Sequence, residues 1–343
     1  MMKKRMAKSI LIASGLALML TSAAGAKIQL INGAGATFPY PIYSKWFSEY
    51  AKADGSVNFN YQSIGSGGGI KQLSAGTVDF GASDTPMTDS ELQGARGGKV
   101  LHFPSVMGGV VAIYNLPGGP KLNFSQATLA GIFLGKIDRW SHPALVKDNP
   151  DASLPDAPIV VVHRSDGSGT SYVFTDFLSK VSLDWKSQVG TGKSINWPVG
   201  LGGKGNEGVA GLVKQTPNAI GYVELGYATN NHLPFGRVQS REGQFVDCTA
   251  ATITRAAAGA KIPKDFRVSI TNALGAEAYP ISTFTWLLVY QKQENPETAK
   301  SLTAFLRWML GDGQQFAEPL GYAPLPVEVV RMEQEAIAQI QQP

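Results

Sequence analysis

The chain has 343 residues, of which 43% are hydrophobic and 16% are charged, a composition that is typical of a compact globular protein and excludes intrinsic disorder. This length predicts two domains rather than a single core. The formal net charge of +4 arises in the first 26 residues, which hold four of the thirty basic residues and no acidic one, so the remaining chain is neutral and predicts binding neither to nucleic acid nor to a membrane surface.

Residues 1–26 have the form of a cleavable secretory signal peptide. Four basic residues precede an apolar segment over 10–20, and Ala24-Gly25-Ala26 offers a small-residue cleavage site. An uncleaved membrane anchor is the alternative, but the apolar segment is shorter than the ~20 residues that a transmembrane helix needs. A lone cysteine, Cys248, can form no internal disulfide. We therefore expect cleavage after Ala26 and a soluble periplasmic protein stabilised by its core.

Two glycine-rich turns follow, each between a predicted strand and a predicted helix. Residues 33–39 connect a short strand at 28–31 to a helix whose apolar residues recur with a helical period. Residues 64–69 follow an alternating strand at 57–61 and contain three consecutive glycines. Because the first amides of a helix lack intrahelical partners, such turns suit anions. Ser66 either caps its helix or binds a ligand, and a cap is the commoner role.

A carboxylate follows the next predicted strand, 78–82. Asp84 stands at the carboxyl end of that strand, where open α/β sheets place ligand-binding groups. The alternative is an aspartate that only initiates a turn before Pro86. The residues from Thr88 to Glu91 then have the spacing of a capping box, which predicts a helix start.

Two long apolar runs, at 106–116 and 280–290, are long enough to pass between two domains. If both runs are crossovers, residues 27–110 and 281–343 form one discontinuous domain and residues 111–280 form the other. The sequence therefore predicts an α/β protein whose two α/β domains are joined by two hinge crossovers. Such proteins close around a ligand in the cleft between the domains.

The segment from 162 to 175 predicts an oxyanion site. A buried strand over 159–162 leads into Arg164 and then into a glycine-flanked group of hydroxyls before an amphipathic helix. The helix start would lie at Ser168, Gly169 and Thr170, where the dipole is positive and the amides are unpaired.

Residues 200–205 match G-x-G-x-x-G, the fingerprint of dinucleotide-binding proteins. Trp197-Pro198 precedes the motif where a strand is required, and Lys204 is not followed by the Ser or Thr of a P-loop. We expect instead a mobile glycine-rich loop near the cleft. A further strand is predicted over 220–223.

Five segments together carry a resemblance to a known family. They are Gly-Ala-Gly-Ala-Thr-Phe-Pro (33–39), Ile-Gly-Ser-Gly-Gly-Gly (64–69), Val-Asp-Phe-Gly-Ala-Ser-Asp (78–84), Arg-Ser-Asp-Gly-Ser-Gly-Thr-Ser (164–171) and Trp-Pro-Val-Gly-Leu-Gly-Gly-Lys-Gly-Asn (197–206). In this order and spacing they resemble the periplasmic phosphate-binding proteins of phosphate-specific ABC transporters. The resemblance implies a type II periplasmic-binding-protein fold, inorganic phosphate as ligand and membrane permease subunits as partners. We expect a monomer with no cofactor and no metal.

The resemblance also implies which residues contact phosphate: Thr37, Phe38, Ser66, Asp84, Arg164, Ser168, Gly169 and Thr170. Asp84 would accept the ligand's proton, Arg164 would make the charged contact, and Asp166 would orient Arg164. His163 departs from the family pattern, in which a second basic residue is common at this position. The segment 239–265 is the least similar to the family.

Asp84 would also explain selectivity against sulfate, which has nearly the shape of phosphate. Near neutral pH phosphate keeps a proton that a buried carboxylate can accept. Sulfate carries no such proton, so the lone pairs of its oxygen would face and repel those of the carboxylate. Sites built around a ligand hydroxyl reject analogues that lack it by roughly 10⁴ to 10⁵.

Three other functions remain open on the sequence alone. A receptor for another oxyanion, such as sulfate or molybdate, predicts a site of donors only, which Asp84 contradicts. A secreted phosphatase or serine hydrolase would use Ser66 or Ser168, but neither lies in G-x-S-x-G. A purely structural protein leaves the glycine-flanked hydroxyl turns unexplained. The histidines show no metal-ligand spacing, and a surface position is expected for His102, His142, His163 and His232.

Overall fold

The computed structural model describes residues 28–342, which form an α/β structure. The strands are β1 (Gln29–Gly35), β2 (Val57–Ser63), β3 (Phe80–Ser83), β4 (Val100–Tyr114), β5 (Asn123–Phe124), β6 (Val160–Arg164), β7 (Leu201–Gly203), β8 (Ala219–Glu224), β9 (Arg237–Gln239), β10 (Phe245–Val246) and β11 (Ser282–Tyr290). The helices are α1 (Tyr40–Ala53), α2 (Ser66–Ser74), α3 (Asp89–Gln93), α4 (Gln126–Phe133), α5 (Pro143–Asp148), α6 (Gly169–Val181), α7 (Leu183–Gln188), α8 (Gly205–Gln215), α9 (Leu225–Asn230), α10 (Ala250–Ala257), α11 (Pro296–Leu310) and α12 (Val327–Ile337). The predicted α/β class is confirmed.

The predicted signal peptide lies outside the described residues. Among the helices of residues 28–342, none combines the length and the apolar character that crossing a bilayer requires.

One mixed sheet runs through the molecule in the order β2-β1-β3-β11-β4-β8-β6-β7. Strands β2, β1 and β3 are parallel, and so are β8, β6 and β7. Strands β11 and β4 join these two groups through antiparallel pairing. We call β2, β1, β3 and β11 the first sheet half, and β8, β6 and β7 the second. A small sheet of β10, β9 and β5 lies beside the second half.

Strand β4 belongs to both sheet halves. Its residues from Val100 to Gly109 pair with β11, whereas those from Val110 to Tyr114 pair with β8. Every residue of β4 and β11 is buried, which explains why both runs are almost continuously apolar in the sequence. The pairing partner of β4 therefore changes at Val110.

The predicted amphipathic helices are confirmed, and their apolar faces hold the core together. In α1 the buried side chains are Ile42, Tyr43, Trp46, Phe47 and Tyr50, the residues that the helical period selects. Phe47 stacks on Phe59 of β2 with ring centroids 4.7 Å apart. Fully burying side chains of this size stabilises a fold by about 1.5 to 3 kcal/mol each. This packing fixes where the first turn of α1 points.

The prediction for residues 200–205 was wrong. Leu201–Gly203 form strand β7, which pairs in parallel with β6, and Gly205 begins α8. The strand lies inside the glycine motif rather than before it. A side chain at Gly203 would meet the backbone of Gly208 at 2.8 Å, so the glycines allow strand and helix to pack closely.

The surface position expected for His102 was also wrong. This residue lies in β4 with only 4% of its surface exposed, and its Nε2 accepts a hydrogen bond of 3.0 Å from the backbone N–H of Met87. Burial, with a smaller effect of the Arg267 charge, lowers the pKa of His102 to about 4. His102 is therefore a neutral core residue at physiological pH.

Candidate functional site

The starts of α1, α2, α6 and α8 meet at the junction between the two sheet halves. The backbone N–H of Gly67 in α2 donates to the carbonyl of Gly167, just before α6, at 2.8 Å. All eight residues predicted to form the site are buried at or beside this junction: Thr37, Phe38, Ser66, Asp84, Arg164, Ser168, Gly169 and Thr170. The fold thus brings together segments that are far apart in the chain, such as Thr37 and Asn206, which are 169 positions apart.

Two tyrosines hold the chain at the start of α1. The hydroxyl of Tyr227 in α9 donates to the carbonyl of Thr37 at 2.6 Å. The hydroxyl of Tyr322 donates to the carbonyl of Phe38 at 2.7 Å and lies 3.2 Å from Glu224 Oε2. Because the two tyrosines bind the backbone carbonyls of Thr37 and Phe38, the Thr37 side chain is held towards the junction.

Ser66 does not cap its helix. The N-cap of α2 is Gly65, whose φ of 88° suits glycine, and Ser66 is the first helical residue. Its Oγ accepts from the backbone N–H of Asp84 at 3.1 Å and donates to Asp84 Oδ2 at 3.3 Å. The hydroxyl is therefore free of a capping role and lies beside the carboxylate.

Asp84 is the acidic group of the junction. Thr285 of β11 donates its hydroxyl to Asp84 Oδ1 at 2.8 Å, which leaves Oδ2 towards Ser66 and Gly169. Burial raises the pKa of Asp84 to about 7, although the hydrogen bond from Thr285 and the charge of Arg164 oppose the shift. Near neutral pH this carboxyl group can therefore accept or keep a proton.

Arg164 supplies the positive charge. Its Nε and Nη2 donate to the two carboxylate oxygens of Asp166 at 2.8 and 2.6 Å, and its Nη1 donates to Thr170 Oγ1 at 3.3 Å. Burial alone would raise the pKa of Asp166, but the hydrogen bonds and charge of Arg164 outweigh burial and lower it. Asp166 also accepts from the backbone N–H of Gly205 at 3.1 Å. The guanidinium is thus held in one orientation by a bidentate ion pair.

The start of α6, in the second sheet half, faces the carboxyl group of Asp84. Ser168 caps the helix, and its Oγ accepts from the N–H of Ser171 at 3.0 Å. A methyl group at Gly169 would overlap the Ser66 hydroxyl and lie 2.5 Å from Asp84 Oδ2. The two halves approach so closely here that only glycine fits.

Asn206 and Thr285 contact the site residues but were missed by sequence analysis. Asn206 is buried in the first turn of α8, and its Nδ2 donates to Thr37 Oγ1 at 2.7 Å and to Thr170 Oγ1 at 3.1 Å. A signal existed for Asn206, because it follows Gly205 at a helix start as Thr170 follows Gly169. Thr285 lies within an apolar strand, where the sequence gives no sign of its contact.

Two ion pairs join α3 to distant segments at the edge of the junction. Lys193 Nζ lies 2.5 Å from Glu91 Oε1 in α3, and Arg267 Nη1 lies 2.6 Å from Asp89 Oδ1 in the same helix. The capping box predicted from Thr88 to Glu91 is confirmed at this point. Burial alone would raise the pKa of Glu91, but the hydrogen bonds from Lys193 and Thr88 outweigh burial and lower it.

Comparison with known proteins agrees with this architecture. Residues 21–313 match the model of the PBP superfamily domain. The phosphate-binding protein PstS of Haemophilus influenzae is 48% identical over 309 residues, which cover 89% of this chain and 91% of the relative. This chain belongs to the PstS family of phosphate-binding proteins. The PstS of Methanocaldococcus jannaschii is 39% identical over 338 residues and covers 91% of this chain and 87% of the relative.

A solved structure shows the same fold at low sequence identity. The high-affinity periplasmic phosphate-binding protein PfluDING, bound with phosphate, aligns with a TM-score of 0.72 at 21% identity and covers 89% of this chain and 93% of its own. The predicted type II periplasmic-binding-protein fold is therefore confirmed. The PstS family is a family of binding proteins.

Proposed function

We propose that this protein binds inorganic phosphate at the junction of the two sheet halves and delivers it to an ABC transporter for import, without catalytic turnover. One observation carries the proposal: a buried carboxyl group, Asp84, faces hydroxyls, helix-start amides and one arginine across the junction. This donor set with a single acid suits an oxyanion that still carries a proton. Membership in the PstS family supports the same conclusion.

The eight buried residues are the proposed phosphate contacts. The hydroxyls of Thr37, Ser66, Ser168 and Thr170 and the backbone N–H groups near Phe38 and Gly169 replace the ligand's hydration shell. Arg164 adds a charged contact, and Asp166 orients Arg164. Asp84 accepts the ligand's proton and thereby rejects sulfate, which would present only lone pairs.

We also propose that residues 27–110 and 281–343 form one domain and residues 111–280 the other. The change of pairing partner within β4 at Val110 supports this boundary. So does β11, which begins at Ser282 and, within residues 28–342, pairs only with β3 and β4. The phosphate site then lies in the cleft between the domains, and β4 and β11 serve as the hinge crossovers.

The proposed location is the periplasm, reached through a signal peptide that is cleaved after Ala26. The proposed partners are the permease subunits of a phosphate ABC transporter, and the receptor acts as a monomer. The family and the basic, apolar and small-residue pattern of residues 1–26 support this assignment.

Titration of purified, phosphate-stripped protein tests the proposed function. We expect one phosphate bound per chain, no competition from sulfate near pH 8, and no hydrolysis of a chromogenic phosphate ester. Equal binding of sulfate would indicate a general oxyanion receptor instead. Ester hydrolysis above background that follows the protein through purification would indicate an enzyme.

A further inference from the structure

The buried side chain of Asn206, in the first turn of α8, lies at the boundary between the two proposed domains. Its amide nitrogen donates to a hydroxyl on each side: Thr37 before α1 and Thr170 in α6. It is fully buried. One side chain therefore connects both sides of the junction through the hydroxyls that are proposed to contact phosphate.

The orientation of the Asn206 amide follows from its third contact. Asn206 Oδ1 lies 3.0 Å from the backbone N–H of Glu224. A backbone N–H can only donate, so the facing atom must be the oxygen, and the NH₂ group must face the two hydroxyls. The amide thus acts as a donor to both threonines.

Each threonine oxygen then has both lone pairs occupied. Thr37 Oγ1 accepts from the Asn206 side chain and also from its backbone N–H at 3.2 Å. Thr170 Oγ1 accepts from Asn206 and from Arg164 Nη1, which can only donate. A hydroxyl has two acceptor lone pairs and one proton. Within residues 28–342 the hydrogen bonds give neither hydroxyl a protein acceptor, so each proton remains available to a ligand.

We propose that Asn206 is a positioning residue that sets the polarity of the site: it makes both threonine hydroxyls donors to the bound anion, and it reaches Thr37 only when the two domains are closed. This inference rests on the proposed phosphate function and extends it to the residue that orients the ligand contacts. Asp84 then remains as the acceptor, which is the arrangement that the proposed discrimination against sulfate requires.

Replacing Asn206 with aspartate reverses this polarity without changing the shape of the side chain. The carboxylate can still accept from the Glu224 N–H, but it also accepts from both hydroxyls and draws their protons away from phosphate. Below its pKa the new carboxylic acid carries a proton and can donate again. The loss in phosphate affinity of Asn206→Asp relative to the wild type should therefore shrink as the pH falls.

The ionisable groups that surround Asn206 must be considered in this comparison. They are Glu207 on its own helix, Arg164 and Asp166 beside α6, Asp84 at β3, Glu224 and Tyr227 at β8 and α9, and Tyr322 near the carboxyl end. The wild type and the variants share all of these groups. The ratio of the two phosphate affinities at each pH therefore isolates the change at position 206.

The experiment is equilibrium dialysis of phosphate-stripped protein against labelled phosphate at about pH 8 and about pH 5.5. We expect Asn206→Asp to bind phosphate at least about 100-fold more weakly than the wild type at the higher pH, the equivalent of about 3 kcal/mol. At the lower pH we expect the ratio to approach about tenfold. Asn206→Leu should lose affinity by a ratio that does not change with pH.

Asn149→Asp is the matched control. Asn149 is also buried, its Oδ1 accepts from the backbone N–H of Asn123, and its Nδ2 donates to two carbonyls, both away from the junction. This variant should lose stability and keep the wild-type phosphate affinity at both pH values.

A pH-independent ratio for Asn206→Asp, or wild-type affinity in either Asn206 variant, would overturn the inference. Thermal unfolding of the stripped variants identifies any that do not fold; if Asn206→Asp is one of them, a loss of affinity in folded Asn206→Leu supports the inference and wild-type affinity opposes it. A wild-type protein that binds no phosphate would refute the proposed function itself.

Discussion

Asp84→Asn tests the proposed basis of anion selectivity. In the structure Thr285 donates its hydroxyl to Asp84 Oδ1. The same hydrogen bond would hold the carbonyl oxygen of an asparagine in that place and turn its NH₂ group towards Ser66 and the ligand. The variant would thus present a donor where the wild type presents an acid. We expect sulfate to bind to the variant.

The magnitude follows from the pKa of Asp84, which burial raises to about 7. Sulfate can bind to the wild type only when Asp84 is protonated, and the protonated fraction rises from about 3% at about pH 8.5 to about 75% at about pH 6.5. The sulfate affinity of the wild type should therefore rise about 25-fold across this interval as the pH falls. In Asp84→Asn it should not depend on pH, and the preference for phosphate, roughly 10⁴ or more at the higher pH, should fall to about tenfold.

The assay is calorimetric titration of phosphate-stripped protein with sulfate and with phosphate at the two pH values. Asp79→Asn is the control, because Asp79 is a half-buried carboxylate at the other end of β3 whose pKa burial also raises. Its Oδ2 accepts from the backbone N–H of Asn32, and its replacement should leave the selectivity unchanged. Exclusion of sulfate by Asp84→Asn at the higher pH would refute the reasoning.

Three further predictions test closure and the core. Gly169→Ala should weaken phosphate binding about 5- to 100-fold, because overpacking at the closed junction costs about 1 to 3 kcal/mol. The control is Gly211→Ala, whose methyl group meets no atom within 4 Å and which should leave the phosphate affinity unchanged in the same titration. Glu91→Gln keeps the capping box but removes the charge that faces Lys193. Phosphate affinity should therefore fall about two- to fivefold at low salt, and the difference from the wild type should vanish at high salt. An equal loss at both salt concentrations would contradict an electrostatic role. Folding lowers the pKa of His102 from 6.5 to about 4, so the neutral side chain contributes its full stability to the folded state above pH 6.5. This contribution is lost as the pH falls towards about 4, because the unfolded chain takes up a proton that the folded chain does not. Urea unfolding should show that the wild type loses about 2 to 3 kcal/mol more than His102→Gln between about pH 7.5 and about pH 4.5, and equal losses would contradict the assignment.

Local signals in the sequence predicted several of the helices and strands. The helical period selected the buried face of α1, and the spacing from Thr88 to Glu91 located the start of α3. These features depend on residues within one or two turns of each other, so the sequence reports them directly. The prediction of a loop at 200–205 was wrong because strand β7 is only three residues long and lies within the glycine motif. A strand this short carries no periodic signal.

The contacts of the site depended on distant parts of the chain. Thr285 lies about 200 positions from the carboxyl group that it holds, and Lys193 lies 102 positions from Glu91. No pattern near either residue indicates its partner. The raised pKa of Asp84 is likewise a result of burial, which only the packed structure defines.

By itself the sequence determined the α/β class, the two long apolar runs, the glycine-flanked helix starts and the family, because each of these rests on local periodicity or on ordered motifs. Only the tertiary structure decided that Asn206 connects Thr37 to Thr170 and that the two sheet halves leave space for nothing larger than glycine at position 169. The physical reason is that the sheet brings the starts of remote helices together, and their hydrogen bonds and close contacts arise only then. The sequence of one segment does not indicate which other segment it will contact.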